Sequence, residues 1–462
     1  MTRRPALTAG VLALAVFLAS PLHVQSDSAW SIPVAVSLLK HGVLDLDEYR
    51  PTIARHPSGV VSAGGHEYGL FPVMVSVVAI PFLVVFDAAA RIAAPVPIPL
   101  VRHLTGRWQS HLWAEGDVDL EFFDTLEMII ASVLVATGAA LLTLGLRGLA
   151  GAAPAMASGL VLALATSAYS TASRVLWQHS LSIALAGGVL AVILTGSSRW
   201  RSLAAGALLG IAYVNRPTNA ILGAAVLAYL LAARPRWNAA LCAAAIAAVL
   251  IPFAAWSHHT FGTLLPPYYA ATRLGLGPQM PEALAANLVS PGRGLFFYSP
   301  VLLFALPSAL RVANRRCWHP FEPYALAAAG AHWIAISAFP HWWAGHSYGP
   351  RFFTDVTPLI IFLLVPALAS AIQAPARHRG RTLVLALSLA ASAGIHAVGA
   401  SSWRAYAWNM EPSNIDDAPQ RVWDWADPPF LRPFRSPATA NRASHRGLAA
   451  GPQGLPCPAP LR

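Results

Sequence analysis

Charged residues are scarce in this sequence of 462 residues. Asp, Glu, Lys and Arg together make up 11% of the chain, whereas soluble proteins carry roughly 25%. Hydrophobic residues reach 56%, which exceeds what one core can bury, because cores stop growing at roughly 250–300 residues. The composition therefore excludes an ordinary soluble protein and indicates a chain whose solvent is the lipid bilayer.

Cysteine is also nearly absent. The three cysteines, Cys242, Cys317 and Cys457, lie far apart, and Cys242 lies within an apolar run. This spacing provides neither a disulfide framework nor a zinc motif.

Acidic residues are fewer than basic ones, 20 against 31, so the formal charge is +11. The basic residues occur in short clusters between apolar runs, which is typical of the topology determinants of a multi-span protein. A nucleic-acid-binding protein more often has one basic face, so no nucleic acid is expected as a partner. The clusters are Arg147, Arg199/Arg201, Arg234/Arg236, Arg311/Arg315/Arg316 and Arg377/Arg379/Arg381.

Long apolar runs predict the fold class, because a helix that spans a membrane needs about 20 mostly apolar residues. The runs are 6–22, 71–93, 126–146, 155–172, 181–195, 203–214, 220–233, 239–256, 295–310, 324–339, 356–371 and 382–400. They predict an all-α fold, a polytopic transmembrane bundle of about 11–13 spans, with interfacial helices in the first external loop. Pro217 predicts a break between the two shortest runs. The first run also fits a cleaved signal peptide.

The apolar runs and the arginines between them predict how the chain is divided into a transmembrane domain, external loops and a tail. Residues 1–400 form the predicted transmembrane domain, with external loops at 23–70, 257–294 and 340–354. Counting spans from the N-terminus agrees with this orientation only if one segment is broken or re-entrant, and 94–125 is one place for it. The proline-rich tail, 401–462, is expected to be largely disordered.

The first external loop carries the acidic candidates. Asp27 follows the first apolar run in QSDSAWSIPVAVSLLKHGVLDLDEY, and a partly amphipathic segment comes next. Asp-Ser before a helix is good N-cap chemistry, which the spacing alone favours, and the alternative is a carboxylate held at the membrane surface as a general base. Asp47 and Glu48 form a second acidic pair further along the loop.

Arginines recur at the run ends that charge counting places outside. They are Arg174, Arg216, Arg293 and Arg351. A single arginine at a helix boundary usually snorkels to the interface, but several that converge would suit a lipid-linked phosphate. Arg351 lies in HWWAGHSYGPRFF, whose tryptophans are also typical of an interfacial belt.

The order of these motifs resembles the GT-C superfamily of integral-membrane glycosyltransferases, which includes protein O-mannosyltransferases and lipid A aminoarabinose transferases. The resemblance lies in SDSAWSIPVAVSLLKHGVLDLDEY, GHEYGLFPVMVSVVAIPF, LWQHSLSIAL, GIAYVNRPTNAIL, SPGRGLFFYSP and WWAGHSYGPRFFTDVTPLI. Together these motifs cover roughly residues 10–375, and the sequence looks closest to uncharacterised bacterial members.

The resemblance implies a reaction at the outer face of the bacterial cytoplasmic membrane. A polyprenyl-phosphate-linked sugar would be the donor, the acceptor could be a glycan, a lipid or a protein, and Asp27 would activate its hydroxyl. The implied ligands of the donor phosphate or lipid are Arg216, Arg351, Tyr348, Arg293 and Arg174, and Tyr68, His179 and His346 would line the donor and acceptor pocket. Asp27 lacks the adjacent acid of many relatives, so no cofactor is assigned and a divalent metal stays open.

Two other functions fit the same composition. Transporters and flippases tend to keep ionisable residues near the midplane of the bilayer, whereas this chain keeps them at the ends of its runs. A non-catalytic membrane scaffold is the other alternative.

Overall fold

The protein is mostly helical. The computed structural model describes residues 4–22, 24, 27–96, 98–114, 116–270, 275 and 277–435. The helices are α1 (Arg4–Ala19), α2 (Ser31–His41), α3 (Arg50–Arg55), α4 (Met74–Ala93), α5 (Pro99–Leu112), α6 (Phe122–Ala150), α7 (Ala152–Leu164), α8 (Gln178–Leu194), α9 (Arg199–Asn215), α10 (Ala220–Ala233), α11 (Arg236–Phe261), α12 (Met280–Val289), α13 (Leu295–Tyr298), α14 (Pro307–Ala313), α15 (Glu322–Ser337), α16 (Thr357–Gln373), α17 (Arg379–Ser401) and α18 (Trp403–Tyr406).

Four helical segments among the described residues are long and apolar enough to cross a membrane. They are Met74–Ala93, Phe122–Ala150, Arg236–Phe261 and Pro375–Ser401. Six further apolar helices are shorter, at 10–17 residues: Arg4–Ala19, Ala152–Leu164, Gln178–Leu194, Pro217–Ala233, Pro300–Ala313 and Thr357–Gln373. Phe122–Ala150 is largely buried and occupies the centre of the bundle, whereas the most apolar part of Arg236–Phe261 is only 17% buried and is available to lipid.

The predicted apolar runs overlap helical segments of the structure, although the run 155–172 is interrupted, because α7 ends at Leu164 and a separate π-helical turn covers Ala168–Ala172. The predicted break at Pro217 is confirmed, because α9 ends at Asn215 and a 3-10 turn, Pro217–Asn219, precedes α10. The run 295–310 is not one helix. It divides into α13, a 3-10 segment and α14, since Pro300 and Pro307 have no backbone N–H to continue a helix.

A β-hairpin in the first external loop departs from the all-α prediction. Strands β1 (Val60–Ala63) and β2 (His66–Gly69) pair antiparallel, with Val60 opposite Gly69 and Ala63 opposite His66. The turn between them is Gly64–Gly65, and both residues have positive φ, 59° and 87°. A two-residue hairpin turn requires that geometry, and glycine adopts it without strain. The expected helices of the loop are also present, as α2 and α3.

Glycines set the close packing of α6 against α8 at the centre of the bundle. A Cβ placed on Gly187 would lie 2.5 Å from the main-chain oxygen of Gly138, and one on Gly138 would lie 2.7 Å from the oxygen of Ile183. The two backbones therefore touch. Small residues allow such contacts between membrane helices, where packing rather than the hydrophobic effect holds the helices together.

Replacing Gly187 with Ala should destabilise the bundle, because the new methyl group meets backbone that cannot move aside. We expect a cost of about 1–3 kcal/mol, measured as a lower thermal unfolding midpoint of the detergent-solubilised protein. Gly223→Ala in α10 is the matched control, since its Cβ would meet nothing within 4 Å. Equal midpoints for the two variants would contradict this account of the α6–α8 contact.

The C-terminal segment has a defined structure as far as residue 435, which differs from the expectation of disorder. Trp408, Ile415 and Val422 are buried in one cluster with Trp342 and Trp343 of the 340–354 loop. Proline turns and buried aromatic side chains order this segment, which the proline-rich composition did not predict. Residues 436–462 of the predicted tail lie outside the described residues.

Candidate active site

One large cavity, of about 1000 Å³, opens among the loops that follow α1, α5, α9 and α15. Its walls contain Asp27, Arg216 and Arg351, three residues that are widely separated in the sequence. The C-terminal segment closes one side through Tyr406 and Asp416. The structure thus brings together the predicted base and two of the predicted phosphate ligands.

Asp27 stands at the start of the turn that leads into α2, with its side chain 41% exposed. A carboxylate oxygen of Asp27 lies 3.0 Å from Nη2 of Arg351. The neighbouring Ser28 is buried, and its hydroxyl donates a 2.5 Å hydrogen bond to the buried carboxyl group of Glu127 in α6. This hydrogen bond attaches the turn that contains Asp27 to the central helix α6. The Asp27 carboxylate is therefore exposed, but the backbone that carries it is held in place.

Local backbone geometry places both arginines at the cavity. Arg216 precedes Pro217, which disfavours the helical conformation, and its φ and ψ of −160° and 126° are extended. Arg351 follows Gly349 and Pro350. Gly349 has a φ of 66°, and a Cβ there would lie 2.7 Å from the ring of Tyr298, so the turn before Arg351 requires glycine.

Each arginine stacks on an aromatic ring. The guanidinium carbon of Arg351 lies 3.5 Å from the centroid of the Trp177 ring, and that of Arg216 lies 5.4 Å from the centroid of the Phe352 ring. Stacked guanidinium groups keep their N–H edges free for oxyanions. The arrangement therefore brings two positive charges, each on a side chain that is 8% exposed, to the wall of the cavity that contains Asp27.

A buried His–Asp pair lies behind the arginines. Nδ1 of His179, in the first turn of α8, is 2.9 Å from Oδ1 of Asp355, and Nε of Arg216 is 2.8 Å from Oδ2 of the same carboxylate. Burial by itself raises the pKa of Asp355, but the hydrogen bond from His179 and the charge of Arg216 outweigh it and hold the pKa below its ordinary value. Asp355 is thus a buried anion that balances the cations of the wall. Sequence reasoning did not identify it.

The cavity wall also contains acidic and imidazole groups that sequence reasoning missed. Asp117, Asp119 and Glu121 come from the loop before α6, and they are accompanied by His56, His111 and His341. Asp117 forms an ion pair with Arg55. The alternating acidic residues of GDVDLE were the only feature of the sequence that pointed to this part of the wall. Acidic residues alone do not indicate a functional site until their neighbours in the structure are known.

Three predicted ligands of the donor phosphate lie away from the cavity. Arg174 donates to the main-chain oxygens of Phe17 and Ser20, at 2.7 Å and 3.0 Å. Arg293 is 1% exposed and donates to the main-chain oxygens of Trp343 and Gly345 and to Asn409. Tyr348 is buried, and its hydroxyl donates to the main-chain oxygen of Ile395 at 2.7 Å. All three side chains hold the backbone in place, since buried carbonyls need donors.

The predicted pocket residues are divided among three environments. His346 lines the cavity and lies 2.8 Å from Oδ1 of Asn414. Tyr68 lines a narrower aromatic groove that also reaches Asp27. His179 is fully buried behind the wall rather than lining it.

The second acidic pair lies outside the cavity, beside the hairpin. Glu48 pairs with Lys40 and His41, and Asp47 lies 2.9 Å from Arg50 and 2.5 Å from His66. Among the described residues, Asp45, Asp47 and His66 bring one ligand atom each within 4.8 Å of one another. This group has the donor types of a divalent metal site, although His66 is exposed and Asp47 already contacts a cation.

The fold of the chain is similar to that of known solved structures. Two solved structures that share it are of the oligosaccharyltransferase from Archaeoglobus fulgidus, each with a TM-score of 0.53. One is tethered through a disulfide bond to an acceptor peptide containing the NVT sequon, and the other is a complex with Zn and sulfate. The identities are 13% and 14%, so the likeness concerns the fold alone.

The alignments cover 90% of this chain and 58% and 57% of those structures. The chain therefore corresponds to little more than half of the archaeal enzyme. No protein-family model matches the sequence, and no curated protein matches it.

Proposed function

We propose that the protein is a membrane glycosyltransferase that moves a sugar from a polyprenyl-phosphate donor to an acceptor hydroxyl. The observation that carries the proposal is the cavity in which a partly exposed carboxylate, Asp27, lies between loops that also present Arg216 and Arg351. A carboxylate can accept the hydroxyl proton, and two arginines can neutralise a departing phosphate. The fold shared with an oligosaccharyltransferase supports the same reaction class.

The proposed reaction is a direct displacement at the anomeric carbon. The acceptor oxygen forms the new glycosidic bond while its proton passes to Asp27, and the bond from the anomeric carbon to the phosphate oxygen breaks. The electron pair of that bond leaves with the polyprenyl phosphate, whose charge Arg216 and Arg351 stabilise. Because the phosphate leaves as an anion held by cations, no general acid is needed. One displacement inverts the anomeric configuration.

The proposal places the cavity at the outer face of a bacterial cytoplasmic membrane. The short apolar helices would cross together with the four long ones, as part of a multi-pass bundle of about 11–13 spans. Sugar and acceptor identity are separate questions, since the cavity walls mix acidic, imidazole and aromatic groups that suit polyhydroxylated compounds in general. The Asp45, Asp47 and His66 group is the candidate site if a divalent metal is required.

A strain that lacks the protein tests the proposal. We expect mass spectrometry of its envelope glycans and lipids to show the loss of one sugar substituent and the accumulation of one lipid-linked sugar. The wild-type gene should restore the substituent, whereas an Asp27→Asn gene should not. Full restoration by the variant would contradict the role of Asp27.

A transporter is distinguished from an enzyme by solubilisation. Detergent removes the two compartments, so transport disappears, while a transferase continues to convert the accumulated lipid-linked sugar to product. We expect conversion by the purified wild-type protein. Its absence, with the strain's phenotype intact, would favour the transporter.

A further inference from the structure

The buried imidazole of His179 is shared by both cavity arginines. Nε2 of His179 lies 3.3 Å from Nε of Arg351 and 3.4 Å from Nη1 of Arg216. The ring is fully buried, so it does not reach a substrate in the cavity itself. The ring instead contacts both arginines through Nε2 and Asp355 through Nδ1.

The hydrogen-bonding geometry assigns one tautomer to this ring. Nδ1 faces a carboxylate oxygen of Asp355 at 2.9 Å, so it carries the proton and donates. Nε2 then has a lone pair, which accepts from the N–H groups of the arginines. A carboxylate that orients an imidazole in this way fixes both the tautomer and the ring plane.

Two cations placed side by side would repel each other and turn apart without a common partner. Here they share one neutral acceptor, and the carboxylate of Asp355 supplies the compensating charge at 2.8 Å from Arg216. Trp177 and Phe352 limit the remaining rotation of Arg351 and Arg216 by stacking. The free-energy cost of ordering the two flexible side chains thus arises during folding and does not weaken binding.

We propose that His179, held by Asp355, is a positioning residue that fixes the two arginines as a preformed clamp for the phosphate group of a lipid-linked donor. The inference rests on the proposed function, because it assigns the clamp to the phosphate of that donor. His179 accepts from the inner N–H groups of the arginines, which leaves other guanidinium N–H groups for two phosphate oxygens. It touches neither the sugar nor the acceptor.

Asparagine and glutamine at position 179 separate the two sides of the ring. An Asn amide reaches about as far as Nδ1, so His179→Asn keeps a donor for Asp355 and loses the acceptor for the arginines. A Gln amide reaches about as far as Nε2, so His179→Gln keeps that acceptor. Both changes remove the ring, and both side chains are neutral.

The probe is farnesyl phosphate, with farnesol as the control that lacks the phosphate. Binding to the purified full-length protein in detergent is measured by calorimetry, and the ratio of the two affinities reports the contribution of the phosphate. We expect His179→Asn to lower this ratio about 10- to 100-fold, the usual effect of losing a hydrogen bond to a charged group. His179→Gln should lower the ratio less than His179→Asn does, because it keeps the acceptor and loses only the hydrogen bond to Asp355.

A merely structural role for His179 would change the affinities for farnesyl phosphate and farnesol together and leave their ratio constant. Equal ratios in a folded His179→Asn variant and the wild type would therefore overturn the inference. If that variant does not fold, His179→Phe replaces it, because Phe fills the ring space and has no acceptor. A ratio in folded His179→Gln as low as that of His179→Asn would also contradict the proposed clamp.

Arg216→Gln and Arg351→Gln separate failure of this inference from failure of the proposed function. If neither arginine variant lowers the ratio, the cavity is not a phosphate site and the proposed function loses its support. If both lower it and His179→Asn does not, only the role of His179 is refuted.

Discussion

Replacing Asp27 with Asn is expected to lower the rate of sugar transfer by about two to four orders of magnitude, the usual contribution of a general base. The amide keeps the size of the side chain and can still accept a hydrogen bond, but it cannot take the proton of the acceptor hydroxyl. The neighbouring Ser28–Glu127 bond should keep the turn in place. Turnover of the lipid-linked sugar by the purified protein is the measurement.

Asp417→Asn is the matched control for this prediction. Asp417 is an exposed carboxylate of the C-terminal segment and does not line the cavity, so its loss changes the net charge by the same amount. We expect its turnover to equal that of the wild type. An Asp27→Asn protein with undiminished turnover would refute the assignment of the base, and the cavity would then need another proton acceptor.

Arg351→Gln is expected to lower the transfer rate by about 10²–10³, as the removal of one preorganised charge donor at a reacting oxyanion does. The change removes a cation that is 8% exposed, stacks on Trp177 and lies 3.0 Å from Asp27. Single-turnover kinetics of the purified protein with the accumulated lipid-linked sugar measure the effect.

Arg351→Lys divides the effect of charge from that of geometry. Lysine restores the positive charge but has neither the planar stack on Trp177 nor the Nε that donates to His179, so we expect partial recovery only. Arg236→Gln, at an exposed position at the start of α11, controls for loss of net charge. Full activity of Arg351→Gln, or full recovery by lysine, would contradict a directional contact with the leaving phosphate.

Helix positions could be predicted because hydropathy is a local property. The runs between Ala6 and Ala400 lie on helical segments, and Pro217 marked a break through its own backbone chemistry. The expectation of disorder in the C-terminal segment is wrong for a related reason, because a local pattern does not contain contacts between residues that are distant in the sequence. The order of this segment comes from tryptophans that pack against a loop more than 60 residues away, as the hydrogen bond between Trp343 and Asp416 illustrates.

The candidate site shows the limit of prediction from sequence most clearly. Arg174, Arg216, Arg293 and Arg351 look alike in sequence, since each lies at the end of an apolar run. In the structure two of them line the cavity, whereas the other two are surrounded by main-chain oxygens that need donors. Only the three-dimensional neighbours separate an arginine of the cavity wall from one that supports the backbone.

By itself the sequence determined a helical membrane protein with most of its ionisable side chains near the helix ends, because placing charge in lipid is costly. The tertiary structure decided which ends meet. Asp27 and Arg351 are 324 positions apart and form an ion pair at 3.0 Å, and His179 and Asp355 meet behind them across 176 positions. Such pairs depend on how the helices pack, and packing is a property of the whole chain that no local pattern contains.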